Sequence, residues 1–212
     1  MPFNLLMESP LGFVVWVIAI LTALTVHEFS HALASTVLGD STARNSGRLT
    51  LNPLAHIDLL GFLALIFVGF GWGKPVPFNP YNLSVKRWGP ALVGLAGPAA
   101  NLFFAGISVL VLKTLRLTTD LSVSNLLIQF LFLFLTINLI LLLFNLIPVP
   151  PLDGSKLLFA VLSSPKYAPM MLSMETRGPL ILLAIILLDS FFGLGIFSLL
   201  FRGFVNFVYG LI

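Results

Sequence analysis

The sequence contains no cysteine among its 212 residues. Disulfide bonds are therefore excluded, and so are thiolate metal ligands. Charged residues make up 9% of the chain, against about 25% in a typical soluble domain. Hydrophobic residues make up 58%, and the mean hydropathy is +1.06. This composition excludes an ordinary soluble domain and predicts an integral membrane protein.

The few charges carry limited information about partners. Eleven basic and eight acidic residues give a net charge of +3, and in a membrane protein such charges lie mainly in loops and indicate orientation. No basic cluster, internal repeat or low-complexity tract is present, so no nucleic-acid partner is expected. Without cysteine, any metal ligand must be a histidine, a carboxylate or a neutral oxygen.

Apolar segments predict the membrane spans. The first three cover residues 11–38, 90–112 and 126–147, each close to or above the roughly 20 residues that cross a bilayer. The last, residues 179–212, is broken by Asp189 and a Gly-Leu-Gly sequence, so it is either one span with an interfacial tail or two short spans. No basic residue precedes the first segment and no cleavage pattern ends it, so we expect it to be retained rather than removed as a signal peptide.

Two further segments separate the first two spans. Leu49 and Leu51 alternate with polar residues in the segment 41–53, a pattern that predicts a short strand. The apolar segment 54–72 is interrupted by glycines and is barely long enough to cross a bilayer. Its length leaves open whether it crosses, and its glycines would permit a turn protected by protein. A short interfacial helix is expected within residues 155–178.

An H-E-x-x-H motif, His27-Glu28-Phe29-Ser30-His31, lies within the first predicted span. Residues four apart share one face of a helix, so both histidines can direct a ring nitrogen at one metal ion. Glu28 lies beside them, placed to accept a proton from a metal-activated water. The alternative, polar side chains that only pack helices together, is less favoured because ionisable groups in a span rarely lack a function.

A catalytic zinc site keeps three protein ligands, so a third ligand is required. Val37 occupies the position where metzincins place a histidine, which excludes that class. Asp153 follows a span, lies beside prolines and precedes Gly154, which lets backbone approach closely. On the residues alone Asp153 is the best-placed ligand, and an ordinary Asp-Gly turn is the alternative. The rival ligand is His56, and the remaining candidates are Asp40, Asp58, Asp120 and Asp189.

Several motifs together resemble a known family. The H-E-x-x-H motif, G-P-A-A-N at residues 97–101, N-L-I-P at 145–148 and L-D-G at 152–154 are similar to the site-2 protease family of intramembrane zinc metalloproteases. The resemblance covers roughly residues 20–160. Three further stretches resemble the small prokaryotic branch, which lacks PDZ and CBS domains: residues 39–40, 47–56 and 72–77.

The resemblance implies an all-α polytopic membrane protein. Its three-helix catalytic core would consist of the H-E-x-x-H, Gly-Pro-x-x-Asn and Asp-Gly helices, with a short β or re-entrant element between the first two. One or more C-terminal spans would follow. We expect a single membrane-embedded peptidase domain over residues 1–212, with its core at about 11–160 and a C-terminal membrane segment at about 178–212.

The resemblance also implies one zinc ion per chain, held by His27, His31 and Asp153, with Glu28 as the general base. It implies that Asn145 lies near the scissile peptide and that the Gly-Pro-x-x-Asn motif lets two helices pack closely. The expected activity is peptide-bond hydrolysis in transmembrane protein substrates, within or near the lipid bilayer. A metal-ion transporter and a catalytically silent scaffold are the alternatives, although a transporter has no need of a glutamate between its ligands.

The resemblance implies that the H-E-x-x-H and Gly-Pro helices are antiparallel, so we expect residues 54–72 to be re-entrant or to lie against the core. The basic residues provide a check and indicate an orientation. If residues 54–72 do not cross the membrane, eight basic residues lie on one side and two, Lys113 and Arg116, on the other. The positive-inside rule then places the amino terminus outside and the active site nearer the cytoplasmic face of the cell membrane. The eight are Arg44, Arg48, Lys74, Lys86, Arg87, Lys156, Lys166 and Arg177.

Overall fold

The computed structural model describes residues 2–212, which form nine α-helices and three short 3₁₀ turns, with no strand among them. The helices are α1 (Pro2–Glu8), α2 (Pro10–Val37), α3 (Thr42–Asn45), α4 (Leu59–Val68), α5 (Gly89–Thr118), α6 (Leu126–Asn145), α7 (Gly154–Val161), α8 (Ala168–Phe192) and α9 (Ile196–Tyr209). The 3₁₀ turns are Pro53–Ala55, Pro80–Asn82 and Pro165–Tyr167. The predicted all-α class is confirmed.

Within the described chain, four helical segments are long and apolar enough to cross a membrane. They are Pro10–Val37, Gly89–Thr118, Leu126–Asn145 and Pro165–Phe192. At 1.5 Å per residue the shortest, α6, is about 30 Å long, which matches the hydrocarbon thickness of a bilayer. Large apolar side chains such as Phe103, Leu110 and Leu180 face outward on these helices, as lipid-facing side chains do. The chain is a multi-pass membrane protein.

Helices α2, α5 and α6 form the core, and each packs against the other two. On α2, Ala19 and Ala23 are fully buried in one cluster with Phe134 and Ile137 of α6. Small side chains on one helix let a neighbouring helix approach closely, which is how membrane helices commonly associate. A second cluster joins α5, α6 and α9: Ala105, Leu112, Ile128, Leu131, Leu135, Leu139 and Val208.

Local sequence determines where α2 begins and ends. The Ser9 hydroxyl accepts a hydrogen bond from the Gly12 N–H at 3.2 Å, and Pro10 occupies the first turn, where its missing N–H costs nothing. After Val37, Gly39 adopts a φ of 102°, a left-handed conformation that stops the helix. The long helix that carries the H-E-x-x-H motif is therefore fixed at both ends.

Asp40 joins the end of α2 to the loop that precedes α5. Its fully buried carboxylate accepts hydrogen bonds from Thr42, from the Asn79 N–H at 2.7 Å and from the Asn82 side-chain amide at 3.0 Å. Burial acts to raise the Asp40 pKa, but these hydrogen bonds together outweigh it and hold the pKa below its usual value. Asp40 is thus an ionised anchor between two loops.

The apolar segment 54–72 contains one short helix instead of a span. Helix α4 has ten residues and is about 15 Å long, half of the hydrocarbon thickness. Asp58 caps its start by accepting a hydrogen bond from the Gly61 N–H at 2.9 Å, and Gly69, with a φ of 84°, ends it. Helix α4 packs against α1. Its length fits the prediction that this segment does not cross the membrane.

The strand predicted around Leu49 and Leu51 is wrong. The β-type pairing in the described chain is a single isolated antiparallel bridge between Ile57 and Gly73. The Thr50 carbonyl oxygen instead lies 2.9 Å from the His56 Nε2, and Leu51 is 61% exposed. The alternation of apolar and polar residues here belongs to a turn that folds back on itself, since no sheet is present to bury one face.

The C-terminal membrane segment consists of a long helix followed by a short one. Helix α8 begins at Ala168, ten residues before the predicted boundary at 178, and Pro179 lies inside it. Gly193 and Gly195 connect α8 to α9 in left-handed conformations, with φ of 62° and 68°. Helix α9 has 14 residues and is about 21 Å long, too short to cross by itself. The short helix expected within residues 155–178 is α7.

Single cysteines at Ser46 and Tyr81 are expected to react with an impermeant thiol reagent from the same side of the membrane. Only α4, which is too short to cross, lies between these exposed positions. A cysteine at Val123, between α5 and α6, should react from the opposite side. The native chain contributes no cysteine signal. Labelling of Ser46→Cys and Tyr81→Cys from opposite faces would show that residues 54–72 do cross.

Candidate functional site

Side chains from distant parts of the chain meet at one point in the bundle. The Nε2 atoms of His27 and His31 lie 3.0 Å apart, and the Asp153 Oδ2 lies 3.3 Å from the first and 3.2 Å from the second. Both histidines are buried, and Asp153 is half-buried. Among residues 2–212, this is the group of histidine and carboxylate side chains that is compact enough to hold a metal ion.

The donor set fits zinc. Two imidazole nitrogens and a carboxylate oxygen are the ligand types found in catalytic zinc sites with three protein ligands. The Nδ1–H of His31 donates to the Val93 carbonyl oxygen at 2.7 Å, and the Nδ1–H of His27 donates to the Asn101 Oδ1 at 2.6 Å. These bonds leave each Nε2 without a proton and facing the shared point, as metal-ligating histidines require.

Gly97 provides the space in which the group forms. A Cβ atom at this position would lie 2.7 Å from the His27 Nε2 and closer still to the His31 Nε2. Helix α5 can therefore pack against the histidine face of α2 only because residue 97 has no side chain. This is the close helix packing that the resemblance implies for the Gly-Pro-x-x-Asn motif.

The turn between α6 and α7 places Asp153. Prolines at positions 148, 150 and 151 interrupt helix after Asn145, because proline lacks an N–H and disfavours helix in the preceding residue. Gly154 then starts α7, and a Cβ there would overlap the Leu146 backbone. The sequence of prolines and glycine thus turns the chain back so that Asp153 reaches the two histidines.

A chain of buried amides connects His27 to α6. The Asn101 Nδ2 donates to the Asn138 Oδ1 at 2.8 Å, and the Asn138 Nδ2 donates to the Phe134 carbonyl oxygen at 2.7 Å. Both asparagines are fully buried. Asn101 therefore orients His27 and also joins two core helices. Sequence analysis misses Asn138, because one asparagine in an apolar helix has no spacing that signals a role.

The other candidate ligands lie outside the group within the described chain: His56, Asp40, Asp58, Asp120 and Asp189. His56 is fully buried, with its Nε2 at the Thr50 carbonyl oxygen. Asp58 caps α4, and Asp189 accepts a hydrogen bond from the Ile196 N–H at 2.7 Å. Each of these three side chains has a local structural role.

A cavity of about 430 Å³ opens onto the His-His-Asp group. Glu28, which is half-buried, and Asn145 both line it. The Asn145 Nδ2 donates to the Leu141 carbonyl oxygen at 3.0 Å, while its Oδ1 has no hydrogen-bond partner within residues 2–212. A ligand in the cavity would thus meet a carboxylate and a free amide oxygen beside the His-His-Asp group.

A segment without helix or strand, residues 70–78, forms one wall of this cavity and is called the strap here. Buried Arg48 donates hydrogen bonds to the carbonyl oxygens of Lys74 and Pro75, at 3.4 and 3.3 Å, and to that of Ala55. The Lys74 N–H donates to the His56 carbonyl oxygen at 2.8 Å. The other N–H groups of the strap have no hydrogen-bond partner in the described chain. The strap is therefore hydrogen-bonded to the rest of the chain at Lys74 and Pro75, and its other N–H groups are free to donate.

Replacing Asn101 by alanine is expected to weaken zinc binding about 10- to 100-fold, because the acceptor that fixes the orientation of His27 is lost. Competition with a chromophoric chelator measures the affinity. Asn145→Ala is the control, since Asn145 contacts neither histidine, and it should bind zinc as the wild type does. Equal zinc affinity in Asn101→Ala and the wild type would remove Asn101 from the site.

Comparison with known proteins identifies relatives of this chain. Residues 114–188 match the sequence profile of peptidase family M50, a region that includes Asp153 but not the two histidines. YwhC of Bacillus subtilis (strain 168), whose name describes it provisionally as a zinc metalloprotease, is 39% identical over 145 residues. The match covers 67% of this chain and 66% of YwhC.

Two Rip2 proteins, named provisionally in the same terms, are also similar. Those of Mycolicibacterium smegmatis (strain ATCC 700084 / mc(2)155) and Mycobacterium tuberculosis (strain ATCC 25618 / H37Rv) are 36% and 34% identical over 141 and 149 residues. The matches cover 63% and 67% of this chain but only 52% and 55% of the relatives. No solved structure gives a significant match.

The comparisons, the helices and the donor set point to the same class of protein. The relatives are named for zinc, the metal that two histidines and a carboxylate suit. The described chain also contains the apolar helices that a membrane-embedded protein needs. The family predicted from the sequence is confirmed, and the chain belongs to peptidase family M50, the site-2 protease family of intramembrane zinc metalloproteases.

Proposed function

We propose that this chain is a zinc endopeptidase that hydrolyses peptide bonds of transmembrane proteins within or near the bilayer. The observation that carries the proposal is the meeting of His27, His31 and Asp153 at a cavity that Glu28 also lines. These three side chains would hold one zinc ion. When bound, zinc supplies Lewis-acid chemistry, which lowers the pKa of water and polarises a carbonyl group.

Glu28 is the general base in this proposal. It is adjacent to His27 on α2, it lines the cavity, and it does not belong to the metal-ligating group. Its carboxylate accepts the proton of the attacking water and later returns that proton to the leaving amine nitrogen, so the protons balance. The free Oδ1 of Asn145 would accept a hydrogen bond from a peptide N–H beside the scissile bond.

The substrate must be locally unwound before it reacts. The amides of a membrane helix are hydrogen-bonded internally, and unwound backbone inside the bilayer needs new partners. The strap supplies these through strand addition, since most of its N–H groups are unpaired and it lines the cavity. The proposed substrate is therefore a transmembrane segment with a helix-weakening residue near the cleaved bond.

The active site lies nearer the cytoplasmic face of the plasma membrane in this proposal. His31 is six residues from the end of α2, and Asp153 follows the end of α6, so the site is near one end of the bundle. The loops at this end carry the larger share of the basic residues, such as Lys86, Arg87 and Lys156. The positive-inside rule assigns that end to the cytoplasm.

The test uses the full chain reconstituted in liposomes with a labelled transmembrane peptide. We expect peptide fragments with zinc present, none after chelation, and their return when zinc but not magnesium is added back, because the histidine-rich donor set suits zinc. Fragments are measured by mass spectrometry. Movement of zinc into the vesicles without formation of any fragment would show that the chain is a metal-ion transporter and not a protease.

A further inference from the structure

A second concave surface lies at the same end of the bundle as the metal-ligating group. It encloses about 630 Å³ and is bounded by the end of the strap, the start of α5 and helix α7. Phe78, Pro90, Pro150 and Phe159 make much of its wall apolar. We call this surface the basic groove because of the cations at its rim.

Three cations line the basic groove: Lys86, Arg87 and Lys156. One carboxylate, that of the exposed Glu175, lines it as well. Within residues 2–212, none of the three cations lies within 4.0 Å of a carboxylate. The groove therefore carries an excess of positive charge that the described chain does not pair.

The donors of these cations are largely free. Lys86 Nζ donates at 2.7 Å, Arg87 Nε at 3.0 Å and Lys156 Nζ at 3.4 Å, in each case to one backbone carbonyl oxygen. An ammonium has three N–H donors and a guanidinium has five. Each cation therefore makes one hydrogen bond, which leaves most of its donors available to an anion.

Two helices of membrane-spanning length begin or end beside the groove, which we infer places it near the membrane interface. Pro90 is the second residue of α5, and Pro150 comes five residues after the end of α6, so two spanning helices begin or end at this level on one side. Phospholipid headgroups occupy the same level, and lysine and arginine side chains there attract anionic headgroups. Cations at the rim suit the charged headgroup of an amphiphile, and the apolar walls suit its hydrocarbon part.

We propose that the basic groove binds an anionic phospholipid. Its phosphate would lie at Lys86, Arg87 and Lys156, and the upper part of an acyl chain would lie against Phe78 and Phe159. Cytoplasmic segments next to membrane helices carry an excess of lysine and arginine, which these cations repel. The charges therefore favour a lipid over a substrate peptide as the occupant.

The bound lipid would border the proposed active site. Phe78 and Lys156 line both the basic groove and the cavity at the His-His-Asp group. The two spaces share a wall, although lipid binding does not depend on the chain being a protease. Binding can therefore be measured independently of any cleavage.

The experiment measures the retention of phosphatidylglycerol by the full-length protein, using native mass spectrometry over a range of lipid concentrations. We expect Lys86→Gln/Arg87→Gln to bind this lipid about 25-fold more weakly, which corresponds to roughly fivefold for each cation near an anionic headgroup. The matched control Lys166→Gln/Arg177→Gln removes two cations from the same side but outside the groove, and it should bind as the wild type does. Lys86→Arg/Arg87→Lys keeps the charge and should also bind.

Three outcomes would overturn the proposal. Equal weakening in the groove variant and the matched control would show a general charge effect. Displacement of the lipid by inorganic phosphate at matched concentration would show an anion site with no contribution from the apolar wall. Protection of a Lys86→Cys label by an acidic peptide, and not by phosphatidylglycerol, would assign the groove to a peptide.

Discussion

Glu28→Gln is expected to abolish peptide-bond hydrolysis while leaving one zinc ion bound per chain. The side chain lines the cavity beside the His-His-Asp group without belonging to it, so its loss removes a base and no ligand. General-base catalysis contributes about 10²- to 10⁴-fold, and we expect a loss at the upper end because glutamine accepts no proton. Cleavage of a transmembrane peptide in liposomes and zinc content by mass spectrometry measure the two effects.

Glu8→Gln is the matched control for this substitution. It makes the same chemical change at an exposed glutamate of α1, outside the cavity, and should leave the cleavage rate unchanged. A Glu28→Gln protein that cleaves at a near wild-type rate would remove Glu28 from the mechanism. Loss of zinc in that variant would instead make Glu28 a ligand or a structural support for one.

The second large effect concerns the metal-ligating side chains. His27→Ala and His31→Ala should reduce zinc content to near zero, and Asp153→Asn should weaken zinc binding by more than about 100-fold, a larger loss than a residue supporting a ligand gives. The three donor atoms lie within 4.8 Å of one another, so each substitution removes one of the three inward-facing ligands. Cleavage of the transmembrane peptide should be lost with the metal.

His56→Ala distinguishes the two candidates for the third ligand. His56 is fully buried and its Nε2 lies at the Thr50 carbonyl oxygen, away from the metal-ligating group. This variant should be less stable to heat but should bind one zinc ion per chain. Full zinc content in Asp153→Asn together with loss of zinc in His56→Ala would move the third ligand to His56.

The sequence predicts features that depend on local spacing. His27 and His31 are four residues apart on one helix, so their shared face follows from helix geometry alone. Predicting Asp153 as a ligand requires long-range information, because its approach to the histidines depends on how α6 and α7 pack against α2 and α5. The resemblance to site-2 proteases provided that long-range information, and the structure brings the three side chains together.

Features without a repeating pattern were missed or misjudged. Asn138 is a lone polar residue in an apolar helix, and its partner Asn101 is 37 positions away. The alternation at Leu49 and Leu51 is too short to distinguish a strand from a turn. The C-terminal membrane segment is expected from about residue 178, where a polar stretch gives way to apolar residues, and α8 already begins in that polar stretch, at Ala168.

The separation of the ligands along the chain determines when the active site can exist during synthesis. Asp153 lies 122 positions after His31, and at about 5–20 residues per second a ribosome takes roughly 6 to 24 seconds to cover that distance. Throughout this time the nascent chain contains His27 and His31 without Asp153, the third proposed ligand. A growing or prematurely terminated chain thus lacks the complete donor set. If these three side chains hold the zinc, activity can begin only after translation has passed the Asp-Gly turn.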